Sequence, residues 1–205
     1  MKTCLITAFE PFGKQTLNAS QVVLHMIHMT HKDATIIKEV LPVVFGQSSS
    51  ITKDLIKAHQ PDVLIMLGEA GGRKRIEIER IAINISDAKI EDNIGQKPQN
   101  QIIQKEGPDG IFTMLPYEHI IQSLGHRHID VGLSNSAGTY VCNHLMYEVL
   151  YHIKQSHLDK PIYAGFIHLP YIKDQTIDPN IPFLPLSDQK AIIEAIIDLL
   201  IEMLD

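Results

Sequence analysis

Cys142 is one of only two cysteines in 205 residues, and its setting in "SAGTYVCNHLMY" (136–147) gives it chemistry that Cys4 lacks. A Ser-Ala-Gly-Thr turn precedes it and an apolar run follows, so the spacing predicts a helix from about Val141 to Gln155. Free backbone N–H groups and the positive end of the dipole gather at such a helix start, and both favour a thiolate. The same N–H groups can hold the oxyanion formed when sulfur attacks a carbonyl. A structural cysteine is the competing reading. Cys4 lies inside the apolar run "TCLITAF" (3–9) and reads as a small buried hydrophobe.

A thiol nucleophile needs a base, and the chain has eleven histidines. His144 lies two positions along the helix from Cys142, about 200° around its axis, and is a poor partner. His168 closes the apolar strand "PIYAGFIHLP" (161–170), at a tip where ligands gather in open α/β sheets. There it could take the thiol proton and return it to a leaving group. A polar residue surfacing at a strand end is the alternative. A carboxylate would orient the imidazole. Glu77 and Glu79 in "IEIERIAIN" project to one face of a strand, and surface pairing with Arg75 or Arg80 is the plainer reading of either. Spacing does not choose between them.

Other candidate constellations are weaker. "GEAGGRKR" (68–75) has the glycines and cations of an anion nest but neither Walker-A nor G-x-G-x-x-G spacing. The histidines of "HMIHMTH" (25–31) recur every third residue and drift around a helix, so no metal site is expected. Phe9 and Phe12 flank the first strand tip in "FEPFG", where they either wall an apolar ligand pocket or pack under the loop.

The elements that must position these residues alternate. Strands are expected at 3–9, 35–45, 61–68, 77–86, 129–134 and 161–170, the stretch 77–86 being half-exposed. Helices are expected from Asn18 or Ser20 through "QVVLHMIHM", after Ser48–Ser50 to about His59, from Pro116 to about Leu124, and from a Ser187 cap to the end. Residues 87–115, rich in Gly and Pro, read as one long loop. Uniformly apolar strands between helices imply an α/β fold with a mostly parallel sheet, in a single domain over 1–205. The tips after Phe9, Gly68, Ser134 and Ile167 should then lie together. A net charge of -6 argues against nucleic acid or an anionic membrane as partner. The opening "MKTCLITAFEPFG" does not read as a signal peptide, its short apolar stretch being interrupted by Glu10, and no run of about 20 apolar residues occurs, so no membrane span is expected. Two cysteines make no disulfide framework, which suits a cytoplasmic protein.

"AFEPFG", "LGEAGGR", "ERIAIN", "SAGTYVCNHLMY" and "GFIHLPYI", in this order and from about Thr3 to Tyr171, closely resemble the type I pyroglutamyl peptidases, the pyrrolidone-carboxylate cysteine peptidases. The resemblance implies an α/β/α sandwich, a cytoplasmic homo-oligomer (often a tetramer), and release of N-terminal pyroglutamate from peptides through a thioester, with no metal or organic cofactor. It implies Cys142 as nucleophile, His168 as base, and Glu79, which precedes the arginine of "ERIAIN", as the orienting acid. Phe9, Phe12 and Asn18 match positions of the lactam pocket, and Tyr140 fills an aromatic position of that pocket. Three residues depart from the family pattern: Glu69 stands where Gln is usual, Ile78 where Pro is usual, and Tyr140 where Phe is usual. An ionised Glu only accepts hydrogen bonds, whereas burial can hold it protonated. These departures keep two other readings open, a non-catalytic small-molecule binding protein of the same fold and a hydrolase of other N-acylated peptides.

Overall fold

The computed structural model describes residues 1–28, 34–156, 160–176, 178 and 180–204. The chain begins as alternating strand and helix: β1 (Lys2–Phe9), α1 (Ala19–Met26), β2 (Ala34–Leu41), α2 (Gln47–His59) and β3 (Val63–Glu69). Short strands β4 (Ile76–Glu79), β5 (Ile81–Ile83), β6 (Ile85–Ser86), β7 (Gln101–Ile102) and β8 (Gly110–Phe112) follow. Then come α3 (Tyr117–His126), β9 (Val131–Ser134), α4 (Val141–Gln155), β10 (Tyr163–Leu169) and α5 (Leu186–Glu202).

Six strands form the central sheet in the order β2-β1-β3-β10-β4-β9. The first four run parallel; β4 lies antiparallel to β10, and β9 runs parallel to β4. The sheet is therefore mixed, with most strands parallel, and it belongs to the expected α/β class.

Side chains alternate between faces along each strand. Cys4, Ile6, Ala8, Val63, Ile65, Leu67, Ile76, Ile78, Ile167 and Leu169 pack toward α1, α3 and α5. Leu5, Phe9, Leu64, Met66, Ala164 and Phe166 pack toward α2 and α4. Two helical layers thus enclose the sheet. The same parity assigns the polar residues to a side. Gly68, Glu77, Glu79 and His168 share the face of Met66 and Phe166, beneath α4. Burial of the odd-numbered β10 residues on one side forces His168 onto the other.

Local signals explain the helix starts. Asn18 caps α1, its Oδ1 accepting from the Ser20 N–H at 3.0 Å. The cap of α5 is Pro185, so Ser187 lies inside the first turn instead of capping it. Likewise Gly46, at φ 76°, precedes α2, and Ser48 to Ser50 are helical. Pro116 is the cap of α3, one place before its expected position. The first helix ends at Met26, short of the expected 29, and the last three residues of the His-rich stretch, 29–31, lie outside the described residues.

Two expected elements divide. The stretch 77–86 is not one half-exposed strand: β4 enters the buried sheet, β5 pairs with β8, and β6 pairs with β7. The long loop 87–115 is accordingly interrupted by β7 and β8. The strand expected over 35–45 stops at Leu41. Among the described residues, no helix is long and apolar enough to cross a membrane.

Asn143 ties this irregular stretch to α4. Its Oδ1 accepts from the Ile83 N–H at 2.9 Å, and its Nδ2 donates to the carbonyls of Ile83 and Ile85 at 2.9 and 3.0 Å. Fully buried, it bonds three backbone groups of β5 and β6. Asn143→Ala strands those groups, and urea denaturation should show a loss of about 1–3 kcal/mol.

Candidate active site

Residues from both ends of the chain line a cavity of about 330 Å³: Phe9, Phe12, Asn18, Val43, Glu69, Ala70, Arg73, Ser136 to Gly138, Tyr140, Val141, Cys142 and His168. All of the sequence-predicted positions except Glu79 line it directly, and Glu79 sits behind His168. The tips of β1, β3 and β10 meet here as parallel strands should. Ser134 also comes close, but by a different route. β9 runs against those three strands, so Ser134 reaches the site beside Glu79, its register partner.

The sheet register explains the central contact. His168 lies opposite Glu77 and Ile167 opposite Ile78, which leaves Glu79 one diagonal step from His168 on the same face. The result is a hydrogen bond of 2.7 Å between His168 Nδ1 and Glu79 Oε1, both side chains being buried. Ile78 fits this strand as a fully buried residue between Ile167 and Leu133, with its side chain on the opposite face.

Arg73 gathers both carboxylates. Its Nη1 lies 2.7 Å from Glu77 Oε2 and its Nη2 2.8 Å from Glu79 Oε1. The surface pairing expected of Glu79 is thus replaced by a buried one. Arg75 reaches Glu77 only at 3.8 Å and pairs with Asp130 at 2.9 Å, whereas Arg80 stands over the Tyr117 ring. No anion nest is left free in 68–75, since its first arginine is already committed. Arg73 went unrecognised in the sequence as an individual residue. Its signal was its place directly after the β3 tip.

Burial raises the Glu79 pKa, but the His168 hydrogen bond and charge, with help from Ser134 and Arg73, outweigh it and hold the carboxyl below its ordinary value. An ionised carboxylate only accepts, so His168 Nδ1 carries the proton and Nε2 is left to act as a base. Burial lowers the His168 pKa, opposed by the hydrogen bond and charge of Glu79. The resting imidazole is neutral near pH 7.

Cys142 is the second residue of α4, following the Tyr140 cap. The first intrahelical bond runs from the His144 N–H to the Tyr140 carbonyl, so the N–H groups of Val141 and Cys142 lack helical partners. Gly68 lets α4 come down onto the sheet: a Cβ there would stand 2.6 Å from the Phe166 ring and 3.1 Å from Cys142 Sγ. Gly68 is also the direct register neighbour of His168. The sulfur therefore sits over the seam between β3 and β10, at the level of the imidazole.

The thiolate expected from the helix dipole is not the resting state. Burial first, then the negative charges of Glu79 and Glu69, against the opposing charge of Arg73, push the Cys142 thiol up to about 12. The helix end is a local effect of roughly half a charge, and desolvation exceeds it. Cys4 is a buried strand residue, as its position suggested, and burial raises its pKa to about 12 as well.

Glu69 is inside the cavity wall and nearly buried. Its Oε2 accepts from the Ala19 N–H and from Gln175 Nε2, each at 2.6 Å. The Gln15 amide, turned so that its nitrogen faces Glu69, adds a donor 3.1 Å from Oε1. Burial raises the Glu69 pKa, and these donors from Ala19 and Gln175 moderate the rise. Asn18 lines the cavity while its amide caps α1 and donates to the Glu10 carbonyl at 3.0 Å. Phe9 is buried against Phe166, and Phe12 packs against Tyr140. The Tyr140 hydroxyl donates to the Glu91 carbonyl at 2.9 Å, which supplies the partner that the added oxygen needs.

His144 points elsewhere, as the helical geometry required. Its Nδ1 lies 3.0 Å from Ser86 Oγ, and it faces a larger polar hollow of about 460 Å³ that contains neither Cys142 nor His168.

Comparison with known proteins adds the decisive observation. The sequence profile of the family described as "Pyroglutamyl peptidase" matches residues 2–203. The chain belongs to the pyroglutamyl peptidase family. Pyrrolidone-carboxylate peptidase 1 of Caldanaerobacter subterraneus subsp. tengcongensis is 42% identical over 199 residues, covering 97% of each chain. The crystal structure of Bacillus amyloliquefaciens pyroglutamyl peptidase I superposes with a TM-score of 0.88 at 38% identity, covering 96% of this chain and 95% of that one. Pyrrolidone carboxyl peptidase of Pyrococcus furiosus gives 0.91 at 36% identity over the whole of both chains. Family membership and fold thus agree with the resemblance seen in the sequence.

The raised Glu69 pKa has a checkable sign. A folded-state value above the unfolded one means that the carboxylate costs stability above the folded pKa, and that this cost fades as pH falls toward the ordinary carboxylate value. Glu69→Gln should therefore raise Tm at pH 7.5 relative to wild type, with a smaller gain at pH 4.5, by differential scanning calorimetry.

Proposed function

We propose that this chain is a cysteine peptidase that removes N-terminal pyroglutamate from peptides, with Cys142 as nucleophile, His168 as base and acid, and Glu79 as the orienting carboxylate. The observation that carries this reading is the buried His168–Glu79 hydrogen bond beside a helix-start cysteine in one cavity. A pyroglutamyl residue has no α-ammonium, so its ring asks for apolar walls and a few polar contacts. Phe9, Phe12, Val43, Ala70, Ala137 and Tyr140 provide the walls, and Asn18 and Glu69 stand among them as polar groups.

The reaction begins with a neutral thiol and a neutral imidazole. As Sγ of Cys142 bonds to the carbonyl carbon that joins the lactam residue to the next amino acid, its proton passes to His168 Nε2. The raised thiol pKa supports a transfer that accompanies attack. Negative charge on the carbonyl oxygen is met by the N–H groups at the start of α4 that have no helical partner. His168 then protonates the departing amine, and a thioester remains. Water attacks that thioester, giving a proton to His168; collapse expels the sulfur, which recovers the proton, and pyroglutamate leaves. Glu79 stabilises the imidazolium at both stages and keeps Nδ1 protonated.

A binding protein on this fold would have no use for an imidazole held by a buried carboxylate, which supports the catalytic reading over that alternative. The family match and the mostly apolar cavity wall support pyroglutamyl over other N-acyl groups. We also propose a cytoplasmic homo-oligomer, a tetramer by analogy with the family, acting without metal or organic cofactor, in which residues 1–205 form one domain.

Hydrolysis of a pyroglutamyl fluorogenic amide tests the assignment. Cys142→Ala should abolish turnover and Glu79→Gln should lower kcat by roughly 10²–10⁴-fold, the range expected for general acid–base function. Turnover by Cys142→Ala near the wild-type rate removes the nucleophile. Glu69→Gln supplies the amide donor that the carboxylate lacks and should raise kcat/KM for the same substrate near pH 7; an unchanged or lower value counts against a role for residue 69 in lactam recognition.

A further inference from the structure

The arm behind the catalytic pair has no place in a three-residue account. We propose that Arg73 and Glu77 are positioning residues which, with Glu79 and His168, form a four-group cluster built to receive one proton. This inference rests on the proposed function, since it assigns His168 as the base.

Arg73 is held between two carboxylates, with Nη1 at 2.7 Å from Glu77 Oε2 and Nη2 at 2.8 Å from Glu79 Oε1. That same Oε1 accepts the His168 Nδ1–H, so imidazole and guanidinium converge on one oxygen from two sides. Nη2 also lies 3.4 Å from Ser134 Oγ, which anchors the arm to the end of β9. Glu77 is the direct cross-strand partner of His168 in the β4–β10 register. Although Arg73 stands in the cavity wall, both ends of its fork are engaged by protein carboxylates. It is therefore not free to clamp a substrate anion.

The charge count gives the arrangement its meaning. Glu77 and Glu79 carry two negative charges and Arg73 one positive charge, while the Arg75 cation beside Glu77 is balanced by Asp130. With a neutral imidazole the cluster has a net charge of minus one, and with an imidazolium it is neutral. Accepting the Cys142 proton thus discharges the cluster in a site where charge is poorly solvated. The two outer residues act in opposite directions. The Arg73 cation opposes protonation of His168 and keeps Glu79 ionised, and the Glu77 anion favours it. The other charged or titratable groups at this face are Arg75, 3.8 Å from Glu77 Oε1 and itself paired with Asp130 at 2.9 Å, Cys142 from α4, and Glu69 at the end of β3; Cys142 and Glu69 do not touch the arm in the described contacts. Glu77 also restrains the Arg73 fork, so that the guanidinium does not swing from Glu79 into the cavity.

The test is the acid limb of the kcat/KM profile, which reports the base in the free enzyme, read beside the ¹H–¹³C titration of the His168 ring. Spectra of His168→Gln assign that signal. Removing the cation in Arg73→Gln should move the limb and the ring titration up by about one pH unit, and removing the anion in Glu77→Gln should move both down by a similar amount. Arg73→Gln/Glu77→Gln should return near wild type. Arg73→Lys keeps the charge and should leave the limb in place while lowering kcat, since one ammonium cannot span two carboxylates. KM should stay within about twofold throughout, because the arm acts on the base and not on the substrate.

The proposal is overturned if Glu77→Gln leaves both readouts unmoved, if the two single variants shift in the same direction, or if Arg73→Gln changes only KM, the result expected of a substrate-anion clamp. Should Arg73→Gln fail to fold, Arg73→Lys and Glu77→Gln still decide the matter through the unmoved and lowered limbs. A wild-type protein without pyroglutamyl turnover defeats the proposed activity but not the cluster, whose opposed shifts remain visible in the ring titration.

Discussion

The hydrogen bond from His168 to Glu79 spans the one seam of the central sheet where strand direction reverses, and the site depends on that reversal. In a parallel pair the polar residues at two strand ends would stand side by side at the edge, near water. In the antiparallel pair of β10 and β4 the diagonal neighbours meet deeper, under Phe166 and beneath α4. There the low dielectric strengthens the contact and excludes competing solvent. The cost is an imidazole and a carboxylate desolvated together, and neither would be tolerated buried alone.

Around this contact, the other elements are matters of approach distance. Gly68 has no side chain at the point where Cys142 and the Phe166 ring descend on β3. Asn143 fixes the next residue of α4 to the backbone of β5 and β6, so the helix start is held from a side about 100° around its axis from the sulfur. Glu69 joins the β3 tip to the start of α1 and to the turn at Gln175, and thereby ties together three segments that border the cavity. Rigid strands carry the imidazole and carboxylate, while loops carry most of the apolar wall. This division is common where fixed chemistry and a shaped pocket must coexist.

The sequence disclosed what local pattern encodes. The bounds of α4 follow from a small-residue turn and an apolar period, and they coincide with the helix observed. His168 was visible because a polar residue closes an otherwise apolar strand. Glu79 could not be separated from Glu77 by spacing, because both lie on one face and both prove to be engaged. Only the family resemblance chose between them; the register then showed the chosen residue against the imidazole. Strand direction leaves no local mark, so the reversal of β4 and β9 was invisible, as was the partition of 77–86 among three sheets. The effect of desolvation on Cys142 was invisible for a similar reason. A helix dipole is read from neighbours in sequence, whereas desolvation comes from residues that arrive from elsewhere.

The position of β10 has a consequence for how the molecule is made. β3 and β4 are separated by only six residues in the chain, yet they do not pair; β10, from almost a hundred residues later, lies between them. Until that segment arrives, both strands present open edges with unfulfilled backbone donors and acceptors. A nascent or partly folded chain therefore carries a slot shaped for a strand, and a β10 segment from a neighbouring molecule could fill it by exchange. Completion of the sheet and assembly of the His168–Glu79 pair are the same late event.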